Sequence, residues 1–229
     1  MKEHPLRAPR LTVLAFFVLG GCLSADRPAA GRSPDPGDNP TRRATSRRTQ
    51  ARDARSAPTP QPRPHGPRVS IDPSLVRVDD GDTVVIRWTR RDAETVRILG
   101  IDTPETRHLP HNIPYDQPFG PEARTFAEGT FATATKIDLL RSATLDPYGR
   151  TLGYLFVNGR NYSVLVVRAR LAYESVSHFG DNGLPLEAAA VLEAAKQAGP
   201  LPFEPPHVYR ARMRDVTEWM KKNGLYPEQ

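Results

Sequence analysis

The sequence predicts an α+β domain, a five-stranded β-barrel of the OB type with added helices, preceded by a disordered tether. Three observations predict it. Five short β-rich stretches are separated by turn signals, and a helical stretch with proline in its first turn interrupts them after the third. Further helical stretches follow the fifth. Ahead of them all, from Ser24 to Arg68, there is no Val, Ile, Leu, Met, Phe, Tyr or Trp.

In chain order, Ser74–Val78 reads as a strand and Asp80-Gly81-Asp82 as a turn. Thr83–Trp88 is β-rich, Arg90–Glu94 turns, and Thr95–Ile101 is a third strand stopped by Pro104. Residues 106–120 read as a proline-containing loop. Pro121 suits the first turn of a helix running to about Ala134. Lys136–Leu140 and Arg150–Val157 are strands around the turn Asp146-Pro147-Tyr148-Gly149, and Asn158-Gly159 closes the second. Tyr162–Leu171 is a short helix, and alanine-rich Pro185–Ala198 is a longer one stopped by Gly199-Pro200. Past Pro205-Pro206, the spacing of Tyr209, Met213, Val216 and Met220 predicts a last helix packed on the domain. The organisation expected is thus a leader (1–22), a tether (23–68), a folded domain (69–203) and a C-terminal helical extension (204–229).

Charge is distributed unevenly among these parts. The 229 residues carry a net +6, made of +2 in residues 1–22, +6 in 23–68 and −2 in 69–229. The basic balance belongs to the N-terminal third, so it does not mark the domain as a nucleic-acid binder. One cysteine excludes an intramolecular disulfide framework and a Cys-cluster zinc site. No apolar run reaches the roughly 18 to 20 residues of a membrane-spanning helix. Residues 1–22 combine basic Lys2, Arg7 and Arg10 with the apolar run Leu11–Leu19 and end in Leu19-Gly20-Gly21-Cys22. That ending resembles the lipobox of bacterial lipoproteins, which implies lipidation at Cys22, membrane anchoring through buried acyl chains and location outside the cytoplasm. In a diderm bacterium this means the periplasm or outer membrane, and Leu23 favours the latter. The plainer alternative is a cleavable signal with an incidental cysteine. The proline- and arginine-rich tether lacks the apolar surface that would offset its ordering entropy. It reads as a spacer whose Arg pairs at 42–43 and 47–48 could also touch polyanions.

Chemistry concentrates in four stretches: Asp80-Gly81-Asp82-Thr83, Arg97 through Asp102-Thr103-Pro104-Glu105, Phe119-Gly120-Pro121-Glu122-Ala123, and Asp146-Pro147-Tyr148-Gly149-Arg150. Phosphodiester hydrolysis needs an activated water and charge neutralisation at phosphorus. Asp82 and Asp102 offer hard carboxylate oxygens of the kind Ca2+ prefers. Glu105, three residues past Asp102, can face the same pocket. Arg97 and Arg150 supply forks for phosphate oxygens. Each feature alone has a plainer reading, since Asp-Gly serves turns and arginine–carboxylate pairs decorate strands.

Together the four stretches resemble the thermonuclease (staphylococcal nuclease-like) family, from about Leu75 to about Ala198. The resemblance implies a sugar-non-specific nuclease that cuts DNA and RNA and leaves 3′-phosphates. It implies Ca2+ held by Asp82, Asp102 and the Thr103 carbonyl, with Asp80 behind them. Glu105 would activate the attacking water, Arg97 and Arg150 would stabilise the transition state, and Tyr148 would contact substrate. A monomer is expected.

This chain departs from the family in three places. Pro147 stands where lysine is frequent, the 106–118 loop is not lysine-rich, and Tyr173–Phe179 replaces the usual base-facing stretch. All three predict weaker substrate affinity. His108 and His111 read as solvated loop residues. The rivals are a non-catalytic OB module that binds nucleic acid and a structural envelope lipoprotein, but Glu105 and both arginines are present.

Overall fold

The computed structural model describes residues 58–227. The leader, Cys22 and most of the expected tether lie outside them. Nine strands and five helices are present among the described residues: β1 (Arg68–Ile71), β2 (Val76–Val78), β3 (Thr83–Arg87), β4 (Ala93–Ile98), β5 (Ile101–Asp102), α1 (Gly120–Ala132), β6 (Ile137–Leu145), β7 (Thr151–Val157), β8 (Arg160–Asn161), α2 (Tyr162–Arg168), β9 (Tyr173–Glu174), α3 (Val176–Phe179), α4 (Pro185–Ala198) and α5 (Pro206–Lys222).

The principal sheet runs β1-β6-β7-β4-β3-β2, with β8 added on β7. Its pairings are antiparallel except β4 with β7, where Val96 lies opposite Thr151. The sheet curls into a half-barrel with helices added, consistent with the OB-type architecture expected. β2, β3, β4, β6 and β7 are the five expected strands. Their inward side chains, Val84, Ile86, Val96, Ile98, Ile137, Leu139 and Leu155, are fully buried. Tyr162 at the start of α2 is also fully buried and packs 5.0 Å, centroid to centroid, from Phe131 of α1.

The expected third strand splits into β4 and β5 around Leu99-Gly100, and β5 leaves the barrel to pair with β9. Residues 73–75 form a 3-10 turn capped by Asp72 rather than the start of a strand. Residues 59–68 are not tether. Leu145 and Gln61 donate backbone hydrogen bonds to Thr59 and Ala143 (2.8 and 2.9 Å), respectively, and Arg68 opens β1. Gln61 is buried, and its amide donates to Thr151 Oγ1 at 3.1 Å. Polar contacts dock this segment, so a reading based on missing apolar residues could not detect it.

The loop at 106–118 has a structural partner. α5 lays Tyr209 and Met213 against Ile113. Tyr209 Oη donates to the Tyr115 carbonyl at 3.0 Å, Thr217 Oγ1 to the Asn112 carbonyl at 3.1 Å, and Lys221 Nζ to Asn112 Oδ1 at 2.8 Å. The C-terminal helix is therefore packed on the domain, as its apolar spacing predicts.

An ion pair is buried in the sheet. Arg141 and Glu94 are each only 3% exposed at the side chain, and the guanidinium grips the carboxylate with two bonds of 2.7 Å. Thr151 Oγ1 and Trp88 Nε1 also donate to Glu94, at 2.7 and 2.9 Å. Burial alone would raise the Glu94 pKa, but these donors prevail and hold it below the usual carboxylate value. The resulting stability is present above the unfolded-state pKa of about 4.5 and is lost as pH falls through the lower folded-state value. Glu94→Gln should cost about 3–5 kcal/mol at neutral pH, because it leaves the Arg141 charge buried without a partner. The variant should also lack part of the wild type's acid-induced loss below about pH 4.5. Denaturant unfolding across pH 3–7 checks both; parallel curves separated by less than 1 kcal/mol would contradict them.

Candidate active site

The site forms where β3 begins and β4 ends. Asp82 immediately precedes β3, and its carbonyl accepts from the Ile98 amide at 2.8 Å. Gly81 lies against Thr103, so closely that a Cβ there would fall 2.8 Å from Thr103 Oγ1. This approach allows Thr103 to donate to Asp82 Oδ2 from both its amide (2.9 Å) and its hydroxyl (3.1 Å). Asp102 is placed by β5, opposite Tyr173 of β9.

Glu105 follows on a tightly held turn. Gln117 is fully buried, its amide N–H donates to the Glu105 carbonyl at 2.8 Å, and its side-chain oxygen accepts from the Glu105 amide at 3.1 Å. Gly120 crosses above, where a Cβ would come within 2.3 Å of the Glu105 carbonyl oxygen. α1 starts at this crossing, with Pro121 in its first turn. The Phe119-Gly120-Pro121 stretch thus acts as a scaffold for Glu105. No sequence signal marks Gln117. A buried glutamine in a loop has no periodic signal to reveal it.

Asp82, Thr103, Asp102, Glu105 and Arg97 converge. Arg97 bonds Asp82 through Nη1 and Asp102 through Nη2, the latter at 3.0 Å. It also donates to the Ile101 carbonyl at 3.3 Å. Asp82 and Asp102 are 4% and 8% exposed at the side chain, so their charges need these partners. Asp80 Oδ1 accepts from the Asp82 amide at 3.0 Å, which places Asp80 behind the pair. Burial pushes the Asp80 and Glu105 carboxyls above the usual carboxylate range, against the opposing pull of nearby arginines.

Arg150 stands apart. Its Nε donates to Asp146 Oδ2 at 2.6 Å, and Asp146 also ties the turn by accepting from the Tyr148 and Arg150 amides. The charge of Arg150 is felt by Asp80 and Arg97, so it borders the carboxylates without bonding them. Tyr148 is 85% exposed beside it, with the Arg150 guanidinium 5.6 Å from its ring centre. His108 and His111 lie exposed in the loop, edge to face at 4.2 Å.

Two further features border the site. Arg210 of α5 reaches in from outside the barrel and bonds both Asp102 and Glu105. An aromatic ledge gathers His207 of α5, His178, Phe179 and Tyr173. His178 stacks on His207 at 6.2 Å, Tyr173 meets His207 edge-on at 6.2 Å, and Phe179 is 69% exposed. The divergence at 173–179 therefore retains aromatic surface. Sequence spacing could not show this, because one ring comes from a helix some thirty residues downstream.

Chemically, the cluster offers hard oxygen donors from Asp82 and Asp102, a held glutamate beside them, and guanidinium groups around the rim. The cationic fork of Arg210 on Asp102 and Glu105 shows that the carboxylates accept positive charge at this spot. Such a donor set fits a divalent cation of the calcium class. Among the described residues no group of three or more His, Cys, Asp or Glu side chains is arranged as a metal cluster. Carbonyls and water would complete any coordination.

The chain is similar to known nucleases. A family profile described as Staphylococcal nuclease homologue matches residues 95–198. The chain is 36% identical over 122 residues to a thermonuclease of Staphylococcus intermedius, covering 53% of this chain and 70% of that protein. It is 33% identical over 107 residues to the SPbeta prophage-derived endonuclease YokF of Bacillus subtilis, and 30% identical over 107 residues to endonuclease YncB of the same organism. It spans only 35% and 49% of the lengths of those two proteins. The profile match takes in Arg97, Asp102, Thr103, Glu105, Tyr148 and Arg150 but stops short of α5.

Proposed function

Since the chain belongs to the staphylococcal nuclease homologue family, we propose that it is a Ca2+-dependent phosphodiester hydrolase that cuts DNA and RNA with little sequence preference. The observation that carries the reading is the convergence of Asp82, Asp102 and Glu105 with Arg97 at one edge of the barrel. Asp82, Asp102 and the Thr103 carbonyl would hold the cation, with Asp80 supporting Asp82 from behind. When bound, calcium would supply positive charge against the phosphate.

Glu105 would take the proton of the attacking water, and Gln117 and Gly120 fix the backbone from which it acts. A carboxyl raised by burial is a stronger base once ionised. As water oxygen bonds to phosphorus, the bond from phosphorus to the 5′ oxygen breaks. The products are a 3′-phosphate and a 5′-hydroxyl, with a proton passing to the leaving oxygen. Arg97 and Arg150 would bind the phosphate oxygens, which requires Arg150 to exchange Asp146 for substrate. Tyr148 and the aromatic ledge would offer faces for unpaired bases. A non-catalytic binding module has no need of a held glutamate beside two buried aspartates.

We also propose that the chain is exported and lipid-anchored at Cys22 to the cell envelope, that residues 23–57 serve as its spacer, and that it acts as a monomer. Mass analysis of the mature N-terminus checks the anchor; an unacylated Cys22 would remove it.

With the full-length chain and single-stranded DNA, cleavage in Ca2+ should disappear in EGTA. Mg2+ should restore it poorly, because that ion demands tighter octahedral geometry. Undiminished cleavage in EGTA would overturn the calcium assignment.

A further inference from the structure

Arg210 lies beyond the stretch that matches the family profile, yet it makes the densest set of bonds to the candidate site. Its Nη1 donates to Asp102 Oδ1 at 3.0 Å and its Nη2 to Asp102 Oδ2 at 2.8 Å, a two-pronged grip on one carboxylate. Nη1 also bonds Glu105 Oε1. Both Asp102 oxygens are therefore engaged by Arg210, and Oδ1 is shared with Arg97. With the Asp102 side chain only 8% exposed, a divalent cation approaching that carboxylate must compete with these guanidinium groups.

Of the two arginines, Arg210 is the one able to give way. Arg97 springs from the middle of the sheet on β4, is 22% exposed, and also holds Asp82 and the Ile101 carbonyl. Arg210 is 33% exposed and comes from the first turns of α5, outside the barrel. The helix is fastened to the 106–118 loop by other side chains, through Tyr209, Met213, Thr217 and Lys221. Its side chain can swing away without undocking the helix.

Resting on the calcium reading above, we propose that Arg210 is the site's built-in counter-cation. It neutralises Asp102 and Glu105 until a divalent cation displaces it, so that metal binding is an exchange of guanidinium for metal. Three carboxylates close together repel one another, and a resident guanidinium keeps them assembled while no metal is present. The same guanidinium lowers metal affinity, because part of each binding event goes into breaking its bonds. It also links the metal site to the C-terminal extension, which the family profile does not cover.

Calorimetric titration of Ca2+ alone into the full-length wild type and Arg210→Gln tests the exchange, with Arg214→Gln, an exposed position on the same helix, as control. Arg210→Gln should bind Ca2+ at least about tenfold more tightly than wild type, the equivalent of one charge-assisted hydrogen bond no longer broken. The control should match wild type. Ca2+ should also raise the Tm of Arg210→Gln more than that of wild type, since the variant begins with uncompensated carboxylates. Should Arg210→Gln fail to fold without metal, Arg210→Lys gives the same comparison, because an ammonium cannot span both oxygens; its affinity should also exceed wild type. Wild type that binds Ca2+ alongside variants that bind it equally or less tightly would overturn the exchange and leave the calcium reading intact. Absence of Ca2+ binding by both wild type and variants would remove the calcium reading and the exchange with it.

Discussion

Asp82 and Asp102 sit almost out of solvent, with Glu105 beside them, and that concentration of negative charge is the constraint around which the molecule is arranged. A buried carboxylate is costly unless paired and hydrogen-bonded. Asp82 receives two bonds from Thr103 and one charge from Arg97. Asp102 is held between Arg97 and Arg210. Each partner comes from a different element, so the barrel edge, the β5–β9 pair and α5 must all be in place for the cluster to exist. Glu94 shows the same rule met by Arg141, a more distant Arg63 and two neutral donors, deep in the sheet and remote in purpose.

Rigidity at the site comes from two glycines in close contact with their neighbours, one against a side chain and one against backbone. Gly81 against Thr103 and Gly120 against the Glu105 carbonyl admit no side chain. Gln117 clasps Glu105 from both backbone sides, and its side-chain Nε2 donates to the Glu204 carbonyl at 2.7 Å. The loop that appears irregular in sequence is thereby stitched to Glu105 on one side and to the segment leading into α5 on the other. This is how a segment with four prolines near it can position a reacting group.

Much of this was legible in the sequence where local signals agree. Turn residues and β-branched runs located the five barrel strands, and Pro185 with Gly199 bounded α4 residue for residue. The motif stretches supplied Asp82, Arg97, Asp102, Thr103 and Glu105, and the structure gathers all five. What escaped depends on distant partners. Gln61 and Arg63 dock by polar bonds inside a segment that looked like spacer. β5 pairs with a two-residue strand seventy positions away. Arg210 is one of several arginines on an amphipathic helix, and only the packing of Tyr209 and Met213 on Ile113 aims it at the carboxylates. Arg150 was expected beside the phosphate, and it lies at the rim on Asp146, within electrostatic reach of Asp80 and Arg97.

The proposed phosphodiesterase chemistry of this barrel edge rests on a glutamate held beside two buried aspartates. Glu105→Gln keeps the shape and the Gln117 clasp while removing the base. Single-turnover cleavage of a labelled single-stranded oligonucleotide, with its binding measured in parallel, tests the claim most directly. The expected result is a rate lowered by about 10²–10⁴-fold with oligonucleotide affinity changed little. Cleavage by Glu105→Gln at the wild-type rate would contradict it.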